Sequence, residues 1–235
     1  WEDRPPLSAE PAVLLSEAYT GESRAQKLLK VRKAMQEKEA DIFVLTSLDD
    51  IAWLLNIRGG DVECNPVVLS YLAVLKDKAL LFANEKAFES EVKEALRADG
   101  VLLLPYNNIY LWIRRIGAGQ SVLFDGGRVN YAITASFPEG VKRVDETNPT
   151  QLMKAIKNPV EVANIRKAHI KDGVAVTRFM YWLKKRAQAA AKEAQAEAGE
   201  NRAAKRRKMT DEAGRPLSEL SVAARLSALR KEQEN

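Results

Sequence analysis

Apolar positions in the first part of the chain change from helical spacing to strand-like runs within a few residues. Between residues 22 and 38 apolar side chains recur every three or four positions among charges, which predicts an amphipathic helix with Ser23 as its cap. The continuous apolar run at 42–45 predicts a short buried strand. A second helix is predicted at 48–55, because two aspartates would lie in its first turn, where the helix dipole favours acidic side chains.

The pattern then becomes that of a hairpin followed by regular alternation of strands and helices. A strand is predicted at 67–75, and a partner strand at 79–82 is separated from it by a charged turn. The later helices are predicted at 86–98, 109–116 and 131–137, and the later strands at 101–104, 122–124 and 141–144. This order predicts an α/β fold in which helices pack against a sheet.

Two prolines, Pro149 and Pro159, mark the end of the strand pattern. After them a long amphipathic helix is predicted at 160–183. Its apolar face is expected to hold Ile165, Val176, Phe179 and Leu183. Residues 185–208 contain nine alanines among charges and no larger aliphatic residue, so this stretch can be helical but has little to bury. A final helix is predicted after Leu217, with Ser221 as its cap.

Composition indicates a folded soluble protein, with 46% hydrophobic and 29% charged residues and no apolar run long enough to cross a bilayer. The net charge of +5 comes from residues 185–208, which hold eight Lys or Arg and three Glu. The rest of the chain is neutral and does not favour nucleic-acid binding. The single cysteine, Cys64, excludes an internal disulfide and is typical of the cytoplasm. No secretory signal or initiator Met precedes Trp1, so we expect the chain to be cut from a longer protein.

Few residues have the spacing of a catalytic site. Gly117 and Gly119 follow a predicted helix and precede a strand, the reverse of a phosphate-binding loop, so a simple turn is favoured. The only histidine, His169, would share a helix face with Asp172. That pair could orient an imidazole for catalysis, but a partly buried polar pair between helices is the simpler interpretation, since no second histidine or nearby cysteine accompanies it.

Two further features carry weak signals. Cys64 has acidic neighbours that would raise the pKa of its thiol, so a reactive thiolate is not expected. The tract Lys205-Arg206-Arg207-Lys208 could bind a polyanion or direct nuclear import, although such tracts are usually solvated stretches.

Four segments, taken in order, carry a resemblance to a known family. The most specific is residues 48–61, LDDIAWLLNIRGGD, continued by Asn65-Pro66-Val67. The others are Asp3-Arg4-Pro5-Pro6 with Tyr19-Thr20-Gly21, residues 155–158 with 166–172, and Leu220-Ser221 with Glu232-Gln233. Together they resemble the middle part of the long, three-domain form of Xaa-Pro aminopeptidase. They span nearly the whole chain, apart from an insertion at about 185–216.

This resemblance implies a creatinase N-terminal-type α/β domain, with a mixed sheet flanked by helices, followed by helices that begin a truncated pita-bread domain. It divides the chain into a linker at 1–21, the α/β domain at 22–150, the first helix of the catalytic domain at 151–184, the charged insertion at 185–216 and a last helix at 217–235. The parent enzyme would remove an N-terminal residue that precedes proline, using two manganese ions.

The resemblance assigns no catalytic, cofactor-binding or metal-binding residue to this chain, not even His169, because the family's ligands would all follow it. The chain is then expected to be an inactive structural fragment that contributes one wall of the substrate cleft. The polar loop at 56–65 is where contact with the catalytic domain is expected, because polar loops at strand ends commonly carry function. Its partners would be the rest of the catalytic domain and, for the parent, proline-containing peptides and a second copy in a homodimer, but no membrane.

Two other functions stay open. One is a non-enzymatic creatinase-fold binding protein that resembles a histone-chaperone subunit, which only the basic tract at 205–208 favours. The other is an independent α/β domain that binds a small molecule, for which the sequence offers no convincing site.

Overall fold

A six-stranded mixed sheet lies at the centre of residues 1–161, in a computed structural model that describes residues 2–198, 209–211 and 214–233. Its strands are β2 (Ile42–Leu45), β4 (Ser70–Leu75), β5 (Ala79–Ala83), β6 (Val101–Pro105), β7 (Ser121–Phe124) and β8 (Lys142–Asp145). They are ordered β6-β5-β4-β2-β7-β8. β4 is antiparallel to β2 and β5, and the other neighbouring pairs are parallel. The predicted α/β class with a mixed sheet is confirmed.

Helices cover both faces of the sheet, because successive side chains of its strands point in opposite directions. In β2, Phe43 and Leu45 belong to one apolar cluster and Ile42 and Val44 to the other. The helices of this part are α1 (Glu17–Thr20), α2 (Arg24–Glu37), α3 (Leu48–Leu55), α4 (Ser90–Ala98), α5 (Asn108–Ile113), α6 (Tyr131–Ala135) and α7 (Pro149–Ala155). α2, α3 and α4 contribute to the first cluster, α5 and α6 to the second.

The N-terminal segment is built into this α/β part. β1 (Val13–Leu14) pairs antiparallel with β3 (Ile57–Arg58), and the backbone N–H of Ala12 donates to Ala87 at 2.7 Å. The linker predicted at 1–21 therefore contains a strand and a short helix. The two strands are two residues long, too short for the alternation of apolar and polar positions that identifies a strand.

Several predicted boundaries differ from those observed. β4 begins at Ser70 rather than at 67, because the preceding backbone is bonded to Asp61. α5 ends at Ile113 rather than at 116. The prediction of Ser221 as a cap was wrong: Ser218 caps the last helix, and Ser221 is the third helical residue, whose side chain returns to Ser218 in a capping box.

Residues 162–235 form a second compact unit. It contains most of α8 (Pro159–Ala198), which runs past the predicted end at 183, and α9 (Glu219–Lys231). Arg230 Nε lies 2.6 Å from Asp172 Oδ1, and Arg178 Nη2 lies 2.7 Å from Glu232 Oε2, so ion pairs join the two helices. Among the described residues no helix is long and apolar enough to cross a membrane.

Candidate functional site

Residues 48–69, which carry the most specific part of the resemblance, fold into α3, β3 and a loop that leads to β4. α3 is buried along most of its length. Its buried residues are Asp50, Ile51, Ala52, Trp53, Leu54 and Leu55. Buried polar groups need hydrogen-bond partners inside the protein. The partners of the polar side chains of α3 therefore show which neighbouring helices are bonded to it.

The first turn of α3 is bound to α7. Lys154 forms ion pairs with Asp49 and Asp50, and its Nζ lies 2.6 Å from Asp50 Oδ1. Thr150 Oγ1 donates to Asp50 Oδ2 at 3.0 Å, which gives this carboxylate, at 1% exposure, a second partner. Burial raises the pKa of Asp49, but the hydrogen bond and charge of Lys154 outweigh it and lower that pKa. Burial opposes the charge of Lys154 too, yet its bonds to both aspartates raise its pKa.

The last turn of α3 ends on Asn56, which takes the left-handed conformation with φ 51°. Its Nδ2 donates to the Glu22 carbonyl at 2.9 Å, and its Oδ1 accepts from Lys27 Nζ at 2.7 Å. Lys27 Nζ also donates to the Trp53 carbonyl at 2.9 Å and lies 4.4 Å from the centre of the Trp53 ring. The buried ammonium therefore has two oxygen acceptors and an aromatic face around it.

Three cationic side chains bind the carbonyls that end α3. Besides Lys27, Arg24 Nε donates to Leu55 at 2.7 Å and Arg58 Nη1 to Ala52 at 2.9 Å. The last carbonyls of a helix have no partner within the helix and carry its negative dipole, which explains why cations collect here. Burial lowers the pKa of all three side chains, that of Lys27 to about 8.

The anion that faces this cluster comes from the first turn of α8. Trp53 Nε1 donates to Glu161 Oε1 at 3.1 Å. The other oxygen of Glu161 accepts from the Asn158 backbone at 3.0 Å, and Asn158 Oδ1 accepts from the Glu161 backbone at 3.0 Å, a reciprocal cap of α8. Asn158 Nδ2 donates to the Thr20 carbonyl at 2.7 Å. The negative charge of Glu161 favours the charged form of Lys27, against the effect of burial.

We call this set of residues the α3 seat. It consists of Asp49, Asp50, Trp53 and Asn56 of the helix and its cap, with Lys27, Thr150, Lys154 and Glu161 as their partners. Its three carboxylates lie close to its two ammonium groups, so each charge has a neighbour of opposite sign. The arrangement is suited to positioning: the first turn of α3 fixes α7, and the last turn fixes the first turn of α8.

The polar loop that follows β3 is exposed and closed by Asp61. The Asp61 backbone N–H donates to the Val67 carbonyl at 3.3 Å, and its Oδ2 accepts from the Leu69 backbone at 2.6 Å. Cys64 lies at the tip with φ 61° and is exposed. The loop therefore presents polar groups to solvent between two points that Asp61 holds together, as binding loops often do.

The other sequence candidates are not brought together into a site. His169 is exposed, and Asp172 bonds to Arg230, so the prediction of a partly buried His169–Asp172 pair was wrong. Gly117 and Gly119 form the predicted turn between α5 and β7, with Gly119 at φ 86°. The basic tract 205–208 lies outside the residues that the structure describes.

No metal site is found in the part of the chain that the structure describes: it contains no group of three or more His, Cys, Asp or Glu side chains that could hold an ion. The residues present therefore do not fit the metal pair that the resemblance implies for the parent. We derive no catalytic step through a metal from this chain.

Sequence reasoning missed Lys27, Lys154 and Glu161. The spacing of Asn158 and Glu161 around Pro159 is a helix-start signal, and it could have located the cap of α8. Nothing in the local pattern around Lys27 distinguishes it from the exposed lysines of α2, since its partners are supplied by α3.

The fold and the α3 seat define an α/β domain of the creatinase type. The creatinase/prolidase N-terminal domain family matches residues 3–161. The chain therefore belongs to this family.

Relatives with the same segment are aminopeptidases. The chain is 38% identical over 193 residues to a probable Xaa-Pro aminopeptidase P of Neurospora crassa, covering 78% of this chain and 28% of the relative. It is 36% identical over 185 residues to the Xaa-Pro aminopeptidase ApepP of Drosophila melanogaster, covering 77% and 30%. The chain thus spans less than a third of the length of these relatives.

A solved structure has a similar fold. The X-prolyl aminopeptidase of Caenorhabditis elegans, described as a cytosolic enzyme with a di-nuclear active site, matches with a TM-score of 0.80 and 29% identity. The match covers 100% of this chain and 35% of that enzyme.

Proposed function

We propose that this chain is the second creatinase-type α/β domain, with the first helices of the catalytic domain, of a cytoplasmic Xaa-Pro aminopeptidase. The parent enzyme would remove an N-terminal residue that precedes proline. The identity of 36–38% to aminopeptidases of that kind supports this proposal, as does the match of the chain to about a third of the C. elegans enzyme.

Within that enzyme, we assign this chain an architectural role. The bond from Trp53 Nε1 to Glu161 Oε1, at 3.1 Å, is the observation that carries the assignment, because it holds the start of α8 to the most specific segment of the resemblance. α8 would be the first helix of the catalytic domain. The α3 seat would therefore hold the first turn of that helix against α3.

The chemistry of the parent would rest on residues other than those described. This chain would contribute the polar loop closed by Asp61 as one wall of the cleft, and the remainder of the catalytic domain would be its main partner.

The proposal is tested with a peptide whose second residue is proline, in the presence of manganese. We expect no turnover by the 235-residue chain alone and turnover by the same chain extended through the rest of its reading frame. Turnover by the chain alone would contradict the architectural role. An extended protein that binds manganese but leaves the peptide intact would contradict the assignment to an aminopeptidase.

A further inference from the structure

Helix α8 carries an exposed apolar stripe. Ile170, Val174 and Tyr181 are spaced four and seven residues apart, which places them on one face of the helix. They are 69%, 45% and 62% exposed. Two open grooves of about 370 Å³ each lie along this face, one beside Ile170 and Val174 and the other beside Tyr181. We call these three residues the α8 stripe.

A different side of α8 already has a partner. Asp172 is bonded to Arg230 of α9, and Arg225 Cζ of α9 lies 5.8 Å from the centre of the Trp182 ring. Ala175 shares this side of the helix and is fully buried. Helix α9 therefore covers one side of α8 and leaves the α8 stripe open.

Cations flank the α8 stripe on both sides. Between residues 166 and 192 the helix has eight Lys or Arg and one acidic residue. At 3.6 residues per turn, Arg166 and Lys184 fall on one side of the stripe, and Lys167 and Lys185 fall on the other. All four are exposed. An apolar strip with positive charge along both margins is complementary to a surface that is apolar at its centre and acidic at its margins.

Two possible occupants of the stripe fit it less well than another protein segment does. A second copy of this chain, laid face to face, would set these cations against one another. An anionic membrane would attract the cations, but three apolar side chains over about three turns offer little area to bury in the interface. Exposed apolar patches with polar margins are typical of contacts between protein surfaces.

The length of the relatives indicates which protein segment this is. The matched part of the C. elegans enzyme is 35% of its chain, so about two thirds of it lies outside the match. The family match to this chain ends at residue 161, and the α8 stripe lies after it. We propose that the α8 stripe is the face on which the rest of the catalytic domain docks, through a segment with apolar side chains at its centre and carboxylates at its margins. This inference rests on the proposed function.

The test compares the 235-residue chain with the same chain extended through the rest of its reading frame. In a Cys64→Ser background, Val174→Cys supplies a thiol on the stripe, and its reaction with a maleimide is timed by peptide mass spectrometry. We expect this reaction to be at least about tenfold slower in the extended protein, which corresponds to a docking free energy of about 1.4 kcal/mol. Lys93→Cys, at an exposed position of α4, is the control and should react equally fast in both proteins.

Charge reversal tests the acidic margins. Lys167→Glu combined with Lys184→Glu, in the extended Val174→Cys protein, should restore fast labelling because like charges then face each other across the contact. Lys86→Glu combined with Lys93→Glu changes the net charge equally at exposed positions outside α8 and should leave labelling slow. Slow labelling after the reversal at 167 and 184 would overturn the proposed acidic margins.

The outcomes separate this inference from the proposed function. Equal labelling of Val174→Cys in the two proteins would overturn the docking face, even if the extended protein cleaves peptides. Slow labelling in an extended protein without peptidase activity would support the docking face and contradict the proposed function alone. Phosphatidylserine vesicles are the third arm. If they slow labelling of the 235-residue chain, while extension of the chain does not, the stripe binds a membrane and the proposal is wrong.

Discussion

Lys27 is 1% exposed inside the α3 seat, where its ammonium donates hydrogen bonds to the Trp53 carbonyl and to Asn56 Oδ1. Its replacement by methionine keeps a long apolar side chain and removes the charge and the three donors. Two buried acceptors then lose their partner, at roughly 1–3 kcal/mol each. The variant also avoids the cost of burying a charged ammonium. That cost depends on whether Lys27 is protonated, so the net effect on stability depends on pH.

The pH dependence follows from the lowered pKa of Lys27, about 8 in the folded state against 10.5 for an ordinary lysine. Below pH 8 both states hold the proton. Between pH 8 and 10.5 the unfolded state binds more protons than the folded state, so the free energy of unfolding rises with pH. A difference of about 2.5 pKa units, at 1.36 kcal/mol each, makes this rise about 3 kcal/mol.

The assay is urea unfolding, followed by tryptophan fluorescence, at several pH values between 7 and 10.5. We expect the free energy of unfolding of the wild type, minus that of Lys27→Met, to become more positive as pH rises. Only the wild type has a lysine at this position that titrates. Lys86→Met, at an exposed lysine, is the matched control and should show a constant difference. A difference between wild type and Lys27→Met that stays constant or shrinks above pH 8 would refute the reasoning.

Three other changes have predicted outcomes. Trp53→Phe removes the N–H that binds Glu161 and should cost about 2 kcal/mol, with faster hydrogen exchange in the first turn of α8. Gly21→Ala should cost about 2 kcal/mol or more in denaturant unfolding, because φ is 64° and an added Cβ would lie 2.5 Å from a carboxamide oxygen. The hydrogen bond from Lys76 and other bonds lower the pKa of Asp41 to about 2, from 3.8. Asp41 thus stabilises the fold above pH 3.8, by about 1 kcal/mol because solvent screens its pair with the exposed Lys76. Wild type should lose this advantage over Asp41→Asn as acid unfolding is followed through pH 2.

The sheet and its covering helices could be predicted because their residues repeat with the period of the element. The buried run at 42–45 is β2, and α3 begins at Leu48 as its acidic first turn indicates. β1 and β3 could not be predicted in this way, since a two-residue strand has no period. Their pairing joins Val13 to Arg58 and Leu14 to Ile57, which are far apart in the sequence, so no local pattern reports it.

The α3 seat was only half predictable from the sequence. Pattern reasoning treats a charged residue as solvated, which is correct for most lysines of α2 but wrong for Lys27. Whether a lysine is buried depends on acceptors that lie 26 and 29 residues away in the sequence. The bond from Trp53 to Glu161 joins residues 108 positions apart, and no local period reports it.

The position of Glu161 has a consequence for how this domain can be exchanged between proteins in evolution. α8 is continuous from Pro159 to Ala198, yet its first turn belongs to the α/β unit, which ends at Glu161, as does the family match. The inherited module therefore carries the opening turn of a helix whose remaining length lies in the next unit. Recombination at Pro159 would separate Trp53 and Lys27 from the carboxylate of Glu161. A recombination that keeps this contact has to join the next unit inside α8, after residue 161.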